Sequence, residues 1–434
     1  MKPPELTSRQ FGELLVAASI GTTFEWYDFF LAATAAATVW PAIFFPARVD
    51  AAIALAVSIV TVGIGYLARP VGAAFFGHFG DRYGRRSTLV STLLLMGASS
   101  LGTALLPPYA AIGILALAIL FGLRFLMGFG LGGEAAGALS WVAEAKPESK
   151  HRGFWTTWPT AALNIGRLLA IFAFFVVAAE MPHAAYVNWG WRVPFIIGAI
   201  LVVVAIIIRI KVMESPMFVQ LQSKRAVLKN PVIDVIRHEG RKIFKLLWVD
   251  MHASVTPNLV IIPFSLTYLV KVVGVDDAFA NLSITIGTGI SIFFVLAGGY
   301  ASDYVGRLKI LRLGAILTGA MVVPFFLLLK TANPLLIILA QSLLYSSIAI
   351  SAGSDKVLFT ESFATKYRYS GSGLTYQLGQ VISGIAVSVI LPAFLLIYGI
   401  AGSWQPIACV AIAMAIISIA VSFFVKETAT TTLE

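Results

Sequence analysis

The sequence predicts an all-α integral membrane protein with twelve membrane-crossing helices. Three observations carry that expectation. Of the 434 residues, 59% are hydrophobic and only 12% charged, against roughly a quarter charged in soluble domains. Apolar runs of about 17 to 27 residues, long enough to cross a hydrocarbon core of roughly 30 Å, recur along the chain. Period-two alternation, the mark of a membrane barrel, is absent.

The runs fall at 12–36, 52–77, 88–106, 111–143, 154–179, 193–212, 246–270, 278–300, 308–330, 334–360, 370–398 and 402–425. The first follows "MKPPELTSRQFGELL", which is too polar for a secretory signal and lacks a small-residue cleavage site, so the segment reads as retained. The second closes on "GHFGDRYGRR" and the eighth on "GGYASDYVGRLK". The fourth and tenth are over-long, and their ends are expected to tilt or to project into the cytoplasm. After the sixth comes the longest polar stretch, Lys211 to Lys245, which divides the spans six and six. The expected organisation is therefore an N-terminal half at 1–212, a cytoplasmic linker at 213–245 and a C-terminal half at 246–434. The linker's Lys224, Arg225, Lys229, Arg237, Arg241 and Lys242 read as a solvated loop in reach of anionic lipid. Trp141, Trp155, Trp158, Trp189 and Trp191 fall near span ends and read as interface anchors.

Orientation follows from the positive residues, which cytoplasmic loops retain. With the N-terminus inside, 23 of the 31 Lys and Arg residues lie on the cytoplasmic side, and only Arg48, Arg192, Lys271 and Lys330 fall outside. Both termini are thus expected in the cytoplasm, and topology accounts for the net charge of +10. The same distribution, spread over short loops without interleaved aromatics, excludes a nucleic-acid partner. The single cysteine, Cys409, excludes a disulfide framework and a thiol-ligated metal site. Gly128, Gly130 and Gly133 match a dinucleotide-binding spacing but lie inside an apolar run with no preceding strand, so close helix packing explains them better. No Walker A sequence, zinc-binding His-Glu-x-x-His or serine elbow is present. An enzyme, a metal and a cofactor are all unexpected.

The two halves share a repeat. Gly77, Asp81, Gly84 and Arg85 align with Gly299, Asp303, Gly306 and Arg307 at a constant offset of 222 residues. Such a loop needs glycines that reach positive φ, an aspartate that can meet a helix N-terminus and an arginine that can reach a carboxylate at a neighbouring helix end. Glu144 in "WVAEAKPESKHRG" and Glu361 in "FTESFATKYRYSG" are the candidate partners. This pattern resembles the major facilitator superfamily. "GTTFEWYDFF", "ARPVGAAFFGHFGDRYGRR", "RFLMGFGLGGEAAGA", "GWRVPF" leading to "ESPMF", and "RYSGSGLTYQLGQVISG" look like its metabolite:proton symporter branch, which carries organic acids and zwitterions such as citrate, shikimate, proline or betaine. The resemblance spans nearly the whole chain. It implies two six-helix bundles around a central cavity, alternating access by rocking, and a gate in which the Asp81, Arg85 and Glu144 loop and its Asp303, Arg307 and Glu361 counterpart latch the cytoplasmic side.

A carboxylate in the hydrocarbon interior costs roughly 2.5 to 3.5 kcal/mol on insertion scales, so it must face a polar cavity, pair with a cation or carry a proton. Glu25 and Asp28 stand three apart in the first run and so share a helix face. Across the spans, Glu25, Asp28, Glu134, Asp250 and Asp355 stand against Arg69, Arg124, Arg167 and Lys356. Asp28 is the first candidate for the proton carrier, paired with Arg124 when empty as in proton-coupled members of the superfamily, so that a proton on Asp28 would free Arg124 to bind the substrate carboxylate; Glu25 and Glu134 are the other proton candidates. Arg167, with its planar fork, favours an anionic substrate, although it could also pair with Glu134. Lys356 reads as a ligand or as a residue snorkelling to the interface, neutralised there by Asp355. Tyr27, Asn164, Asp250, Arg69, His252, Asn258, Tyr268, Tyr376, Gln377 and Gln380 are the remaining cavity candidates, with His252 open to a packing role. The functional expectation is a proton-coupled symporter in a prokaryotic inner membrane, working as a monomer on a small-molecule carboxylate, with protons and the lipid bilayer as its other partners. A uniporter or proton antiporter that exports its substrate, and a non-transporting receptor or membrane enzyme, are the competing classes.

Overall fold

A computed structural model describes residues 6–46, 48–224, 227–431 and 433, which are helical and contain no strand; Arg225 lies outside them. The helices are α1 (Ser8–Thr38), α2 (Ala51–Tyr83), α3 (Arg85–Leu105), α4 (Ile114–Ala145), α5 (Trp158–Glu180), α6 (Arg192–Lys211), α7 (Pro216–Ser223), α8 (Pro231–Val249), α9 (Met251–Val273), α10 (Asp277–Val305), α11 (Arg307–Leu329), α12 (Pro334–Glu361), α13 (Thr365–Gly402) and α14 (Trp404–Ser422). Among the described residues eleven helices are long and apolar enough to cross a membrane. The twelfth, α1, has the length with 31 residues, but Glu25 and Asp28 interrupt its apolar run.

Local chemistry sets the helix starts. Thr7 and Gln10 form a capping box before α1, each side chain accepting from the other's backbone N–H. Asn333 caps α12 and Pro334 fills its first position, where a missing N–H costs nothing. Gly84 and Gly306 turn the chain between α2 and α3 and between α10 and α11 with φ of 116° and 110°, values open to glycine at little cost.

Within the N-terminal half α1 packs on α5, α2 on α4, and α3 on α4 and α6; within the C-terminal half α10 and α11 pack on α12, and α11 on α14. Across the halves α2 runs along α13 and α5 along α10, so the second and eleventh spans pair as the fifth and eighth do. At the α2/α4 crossing a Cβ on Gly128 would stand 2.1 Å from the Gly65 carbonyl oxygen, and one on Gly132 would stand 2.2 Å from that of Arg69. Glycine there lets two backbones touch.

Two expectations fail here. Trp141 and Trp191 are fully buried rather than interfacial: the Trp141 indole donates to the Met213 carbonyl at 3.2 Å, and Trp191 packs edge-on against Phe44 and Phe195. The stretch expected as a solvated loop is helical in α7 and α8 because α8 is amphipathic and buries Val235, Ile243 and Leu246, while Lys242 reaches the Ser362 carbonyl at 3.0 Å.

Candidate functional site

One end of the molecule is tied by two copies of a single device. Asp81, at the end of α2, accepts the backbone N–H groups of Tyr369 (3.1 Å) and Ser370 (2.8 Å) at the start of α13. Asp303, at the end of α10, accepts those of Gly153 (2.7 Å) and Phe154 (2.9 Å), in the short helix Arg152–Thr156 that leads into α5. Each carboxylate thus sits on unpaired N–H donors of the other half, where the helix dipole favours negative charge. Arg85 holds Asp81 at 2.9 Å and Glu144 at 3.0 Å; Arg307 holds Asp303 at 2.7 Å and Glu361 at 2.9 Å.

The sequence reading missed half of this network. Arg368 donates to Glu144 at 2.9 Å and Arg152 to Glu361 at 2.7 Å, so each glutamate receives one arginine from each half. Glu214 caps α3, accepting from the N–H groups of Arg85 (3.0 Å) and Arg86 (3.1 Å), as Glu427 caps α11 through Arg307 (2.9 Å) and Leu308 (3.0 Å). The neighbouring hydroxyls follow suit: Ser215 donates to Glu144 at 2.5 Å and Thr428 to Glu361 at 2.6 Å. Burial raises the Glu214 carboxyl above its ordinary range. For Glu427, burial pushes the same way, but four backbone N–H donors outweigh it and lower the carboxyl. Both described chain ends lie here, with Phe11 under Lys146 and the Thr431 carbonyl on Arg152.

Deeper in the molecule the charges sort into different environments. Asp28 Oδ2 faces Arg124 at 3.4 Å, Arg124 also donates to Thr103 at 2.5 Å, and Asp28 Oδ1 is buried without a hydrogen bond. Glu134 pairs not with Arg167 but with Arg209, which closes on both carboxylate oxygens, and Thr92 donates to it at 2.8 Å. Arg209 sits near the end of α6, where it reads as one more cytoplasmic cation, yet it is fully buried. Adding it balances the interior: Glu25, Asp28, Glu134, Asp250 and Asp355 against Arg69, Arg124, Arg167, Arg209 and Lys356. Glu25 Oε2 lacks a hydrogen bond, and Arg69 lies among the rings of Trp26, Phe29 and Tyr66 at 5.3, 4.8 and 4.5 Å, with its Nε and Nη2 unpartnered. Lys356 does not snorkel: its Nζ stands 2.6 Å from Asp250 and 3.3 Å from Asp355.

A cavity of about 130 Å³ opens between the halves, smaller than the roughly 300–1,000 Å³ of typical small-molecule sites, so the pathway is narrow in this structure. Of the candidates, Asn164, Arg167, Asn258, Tyr376, Gln380 and Lys356 line it, joined by Trp26, Phe30 and Tyr345. Arg167 faces the rings of Phe30 at 5.3 Å and Tyr345 at 5.7 Å and has no ion-pair partner among the described residues.

The other candidates stand elsewhere. Tyr27 is buried in the N-terminal core with its hydroxyl on the Pro194 carbonyl at 3.0 Å. Tyr268 is core in the C-terminal half, packed on Phe264 and Phe326. His252 bonds Ser351 at 2.8 Å, and Gln377 donates across the halves to the Leu131 carbonyl at 3.3 Å. Arg69 and Arg124 are not in the lining: Arg69 stands against the rings of Trp26, Phe29 and Tyr66, and Arg124 against Asp28 and the Trp40 ring. Helix α1 explains the division: Trp26 and Phe30, one turn apart, face the cavity, while Asp28, midway between them, points to the opposite side.

Comparison with known proteins agrees with this architecture. The family model for sugar (and other) transporters matches residues 14–242 and 239–434. The chain is 33% identical over 395 residues to the inner membrane metabolite transport protein YhjE of Escherichia coli K12, covering 88% of this chain and 87% of that one. It is 31% identical over 413 residues to the shikimate transporter of the same organism, with 94% and 92% covered, and 30% identical over 385 residues to a putative proline/betaine transporter of Staphylococcus aureus, with 85% and 79% covered. Among solved structures, the proton:xylose symporter XylE bound to 6-bromo-6-deoxy-D-glucose superposes with a TM-score of 0.82 at 18% identity, over 98% of both chains. Two tied halves, a cavity between them and these matches along the whole chain lead to one conclusion: the protein belongs to the sugar (and other) transporter family of the major facilitator superfamily, and it is a multi-pass membrane transporter, not an enzyme.

Proposed function

We propose that the chain is a proton-coupled symporter that imports a small organic acid anion by alternating access. The observation that carries the reading is the buried Asp28–Arg124 pair, 3.4 Å long and with one Asp28 oxygen unpartnered, directly behind the two α1 aromatics that face the cavity. A proton on Asp28 cancels its attraction to Arg124 and loosens α1 from α4. Because Trp26 and Phe30 ride on the same helix, that step reshapes the cavity wall. Arg167 supplies the guanidinium for the substrate carboxylate: it lines the cavity and has no ion-pair partner among the described residues. The relatives named for shikimate, a carboxylic acid, and for proton:xylose symport support the two parts of the reading separately.

In this scheme the tied end is cytoplasmic, with both termini there, and the halves at 1–212 and 246–434 are the moving units. Breaking the Asp81 and Asp303 contacts opens that side. Each proton entering through 100 mV contributes about 2.3 kcal/mol, or roughly 50-fold accumulation of a neutral complex; an anion needs one proton merely to cancel its own charge. The test is a thermal-shift screen of the purified protein against monocarboxylates, dicarboxylates, betaines and sugars at two pH values. Stabilisation by a carboxylate that strengthens at the lower pH supports the reading. Stabilisation by a sugar alone, or with no pH dependence, contradicts it.

A further inference from the structure

The C-terminal half holds a second group of charges that the Asp28 mechanism does not use. Lys356 of α12 reaches into the cavity, and its Nζ lies between Asp250, the residue that joins α8 to α9, at 2.6 Å and Asp355 of α12 at 3.3 Å. Asp355 is fully buried; one of its oxygens accepts the Lys356 backbone N–H at 2.5 Å and the other is the one 3.3 Å from Nζ. Ser254 donates to Asp250, and the Tyr376 ring of α13 stands 4.7 Å from Nζ. Two carboxyl groups thus share one ammonium away from water. Leaving both ionised would bury a net negative charge, which hydrocarbon surroundings oppose. The neutral arrangement is one ammonium, one carboxylate and one protonated carboxyl.

We propose that Lys356, Asp250 and Asp355 form a second proton-linked anion site, in which an incoming substrate carboxylate takes the ammonium from the aspartates and a proton from water on the open side neutralises the carboxylate left behind. The exchange balances: one carboxylate enters, one proton enters, and the buried charge is unchanged. Release reverses both. The proposal deepens the symport reading, on which it rests for the substrate, by placing a proton site in each half. Other groups facing the site are His252 of α9, held by Ser351 of α12 and with its backbone N–H on Ser418 of α14; Gln380 of α13, on the Ser254 hydroxyl; and Arg167 of α5 across the cavity. Glu25 and Arg69 act on the Tyr376 hydroxyl from the N-terminal half. None of these stands within ion-pair distance of Asp250 or Asp355.

The test needs no substrate. Infrared spectra of the protein in lipid bilayers at neutral pH report protonated carboxyl groups by their C=O stretch. Lys356→Met mimics an ammonium drawn away, and it should add the intensity of one carboxyl over the wild type; Lys356→Arg should leave the band as it is. Asp250→Asn leaves Lys356 with one aspartate and should remove the intensity of one carboxyl. An unchanged band in Lys356→Met overturns the proposal, and should that variant not fold, an unchanged band in Asp250→Asn does so. Because no transport is measured, failure here leaves the Asp28 reading standing, and failure of Asp28 variants in transport leaves this result intact.

Discussion

The two halves are alike where they grip each other and unlike where they face the cavity. At the tied end each half supplies an aspartate to the other's helix N-terminus, an arginine to its own aspartate, a glutamate shared by two arginines, and an acidic cap followed by a hydroxyl. In the interior the N-terminal half carries Asp28–Arg124, Glu134–Arg209 and Arg167, which has no ion-pair partner among the described residues, whereas the C-terminal half concentrates its charge on Lys356, Asp250 and Asp355. Helix ends impose one geometry on whatever ties them, so a duplicated device can stay the same twice over. A cavity has to fit one asymmetric solute, and nothing requires its two walls to match.

The largest expected effect comes from a buried pair that neither joins the halves nor lines the cavity. Glu134–Arg209 lies inside the N-terminal half without touching the cavity, so Arg209→Ala leaves a buried carboxylate alone and should cost about 3–5 kcal/mol. Thermal unfolding in detergent measures it. The ligand-induced shift should survive in whatever protein remains folded; a wild-type melting temperature would show that the pair is dispensable. Next in size is Arg167→Gln, which should lower carboxylate affinity about 10- to 150-fold, the worth of one charge-assisted hydrogen bond of roughly 1.5–3 kcal/mol, with little change in stability. A Kd from isothermal titration calorimetry checks it, and an unchanged Kd would remove Arg167 from the substrate site.

The tied end should behave as two equal parts. Asp81→Asn and Asp303→Asn each weaken a carboxylate at a helix N-terminus by about 1–2 kcal/mol. In a Cys409→Ser background with a cysteine at Ala136, buried where α4 meets α13, maleimide labelling should rise about tenfold for each. Unequal effects would mean that one copy has taken over the work.

The smallest effect separates the two caps. The raised Glu214 carboxyl opposes folding as pH rises from its ordinary value of 4.5 through the folded value, whereas the lowered Glu427 carboxyl stabilises above 4.5 and loses that contribution as pH falls through its folded value. Glu427→Gln should therefore flatten the loss of melting temperature on the acid side, and Glu214→Gln should flatten a decline above pH 4.5. Identical profiles for the two variants would contradict the assignment.

How much of this was legible depended on whether a residue's meaning was local. The spans could be read from apolar length alone, and the aspartates and arginines of the loops from a repeat with a fixed offset. Arg368 and Arg152 could have been found the same way, because "WVAEAKPESKHRG" and "FTESFATKYRYSG" each carry an arginine shortly after the glutamate. So could Glu214 and Glu427, acidic residues followed by a hydroxyl after the sixth and twelfth spans. Arg209 could not, since beside Lys211 it has the appearance of any positive residue at a span end, and only the packing of α6 on α3 brings it to Glu134. Tyr27 and Tyr376 look equally suited to a cavity in sequence; which one faces it depends on how α1 and α13 are rotated in the bundle.

Counterflow and uphill uptake by Asp28→Asn in proteoliposomes, with the carboxylate that gives the largest thermal shift, tests the central claim most directly. The variant should still exchange labelled for unlabelled substrate but no longer accumulate it against its gradient when the bath is acidified. Wild-type accumulation by Asp28→Asn would contradict that claim.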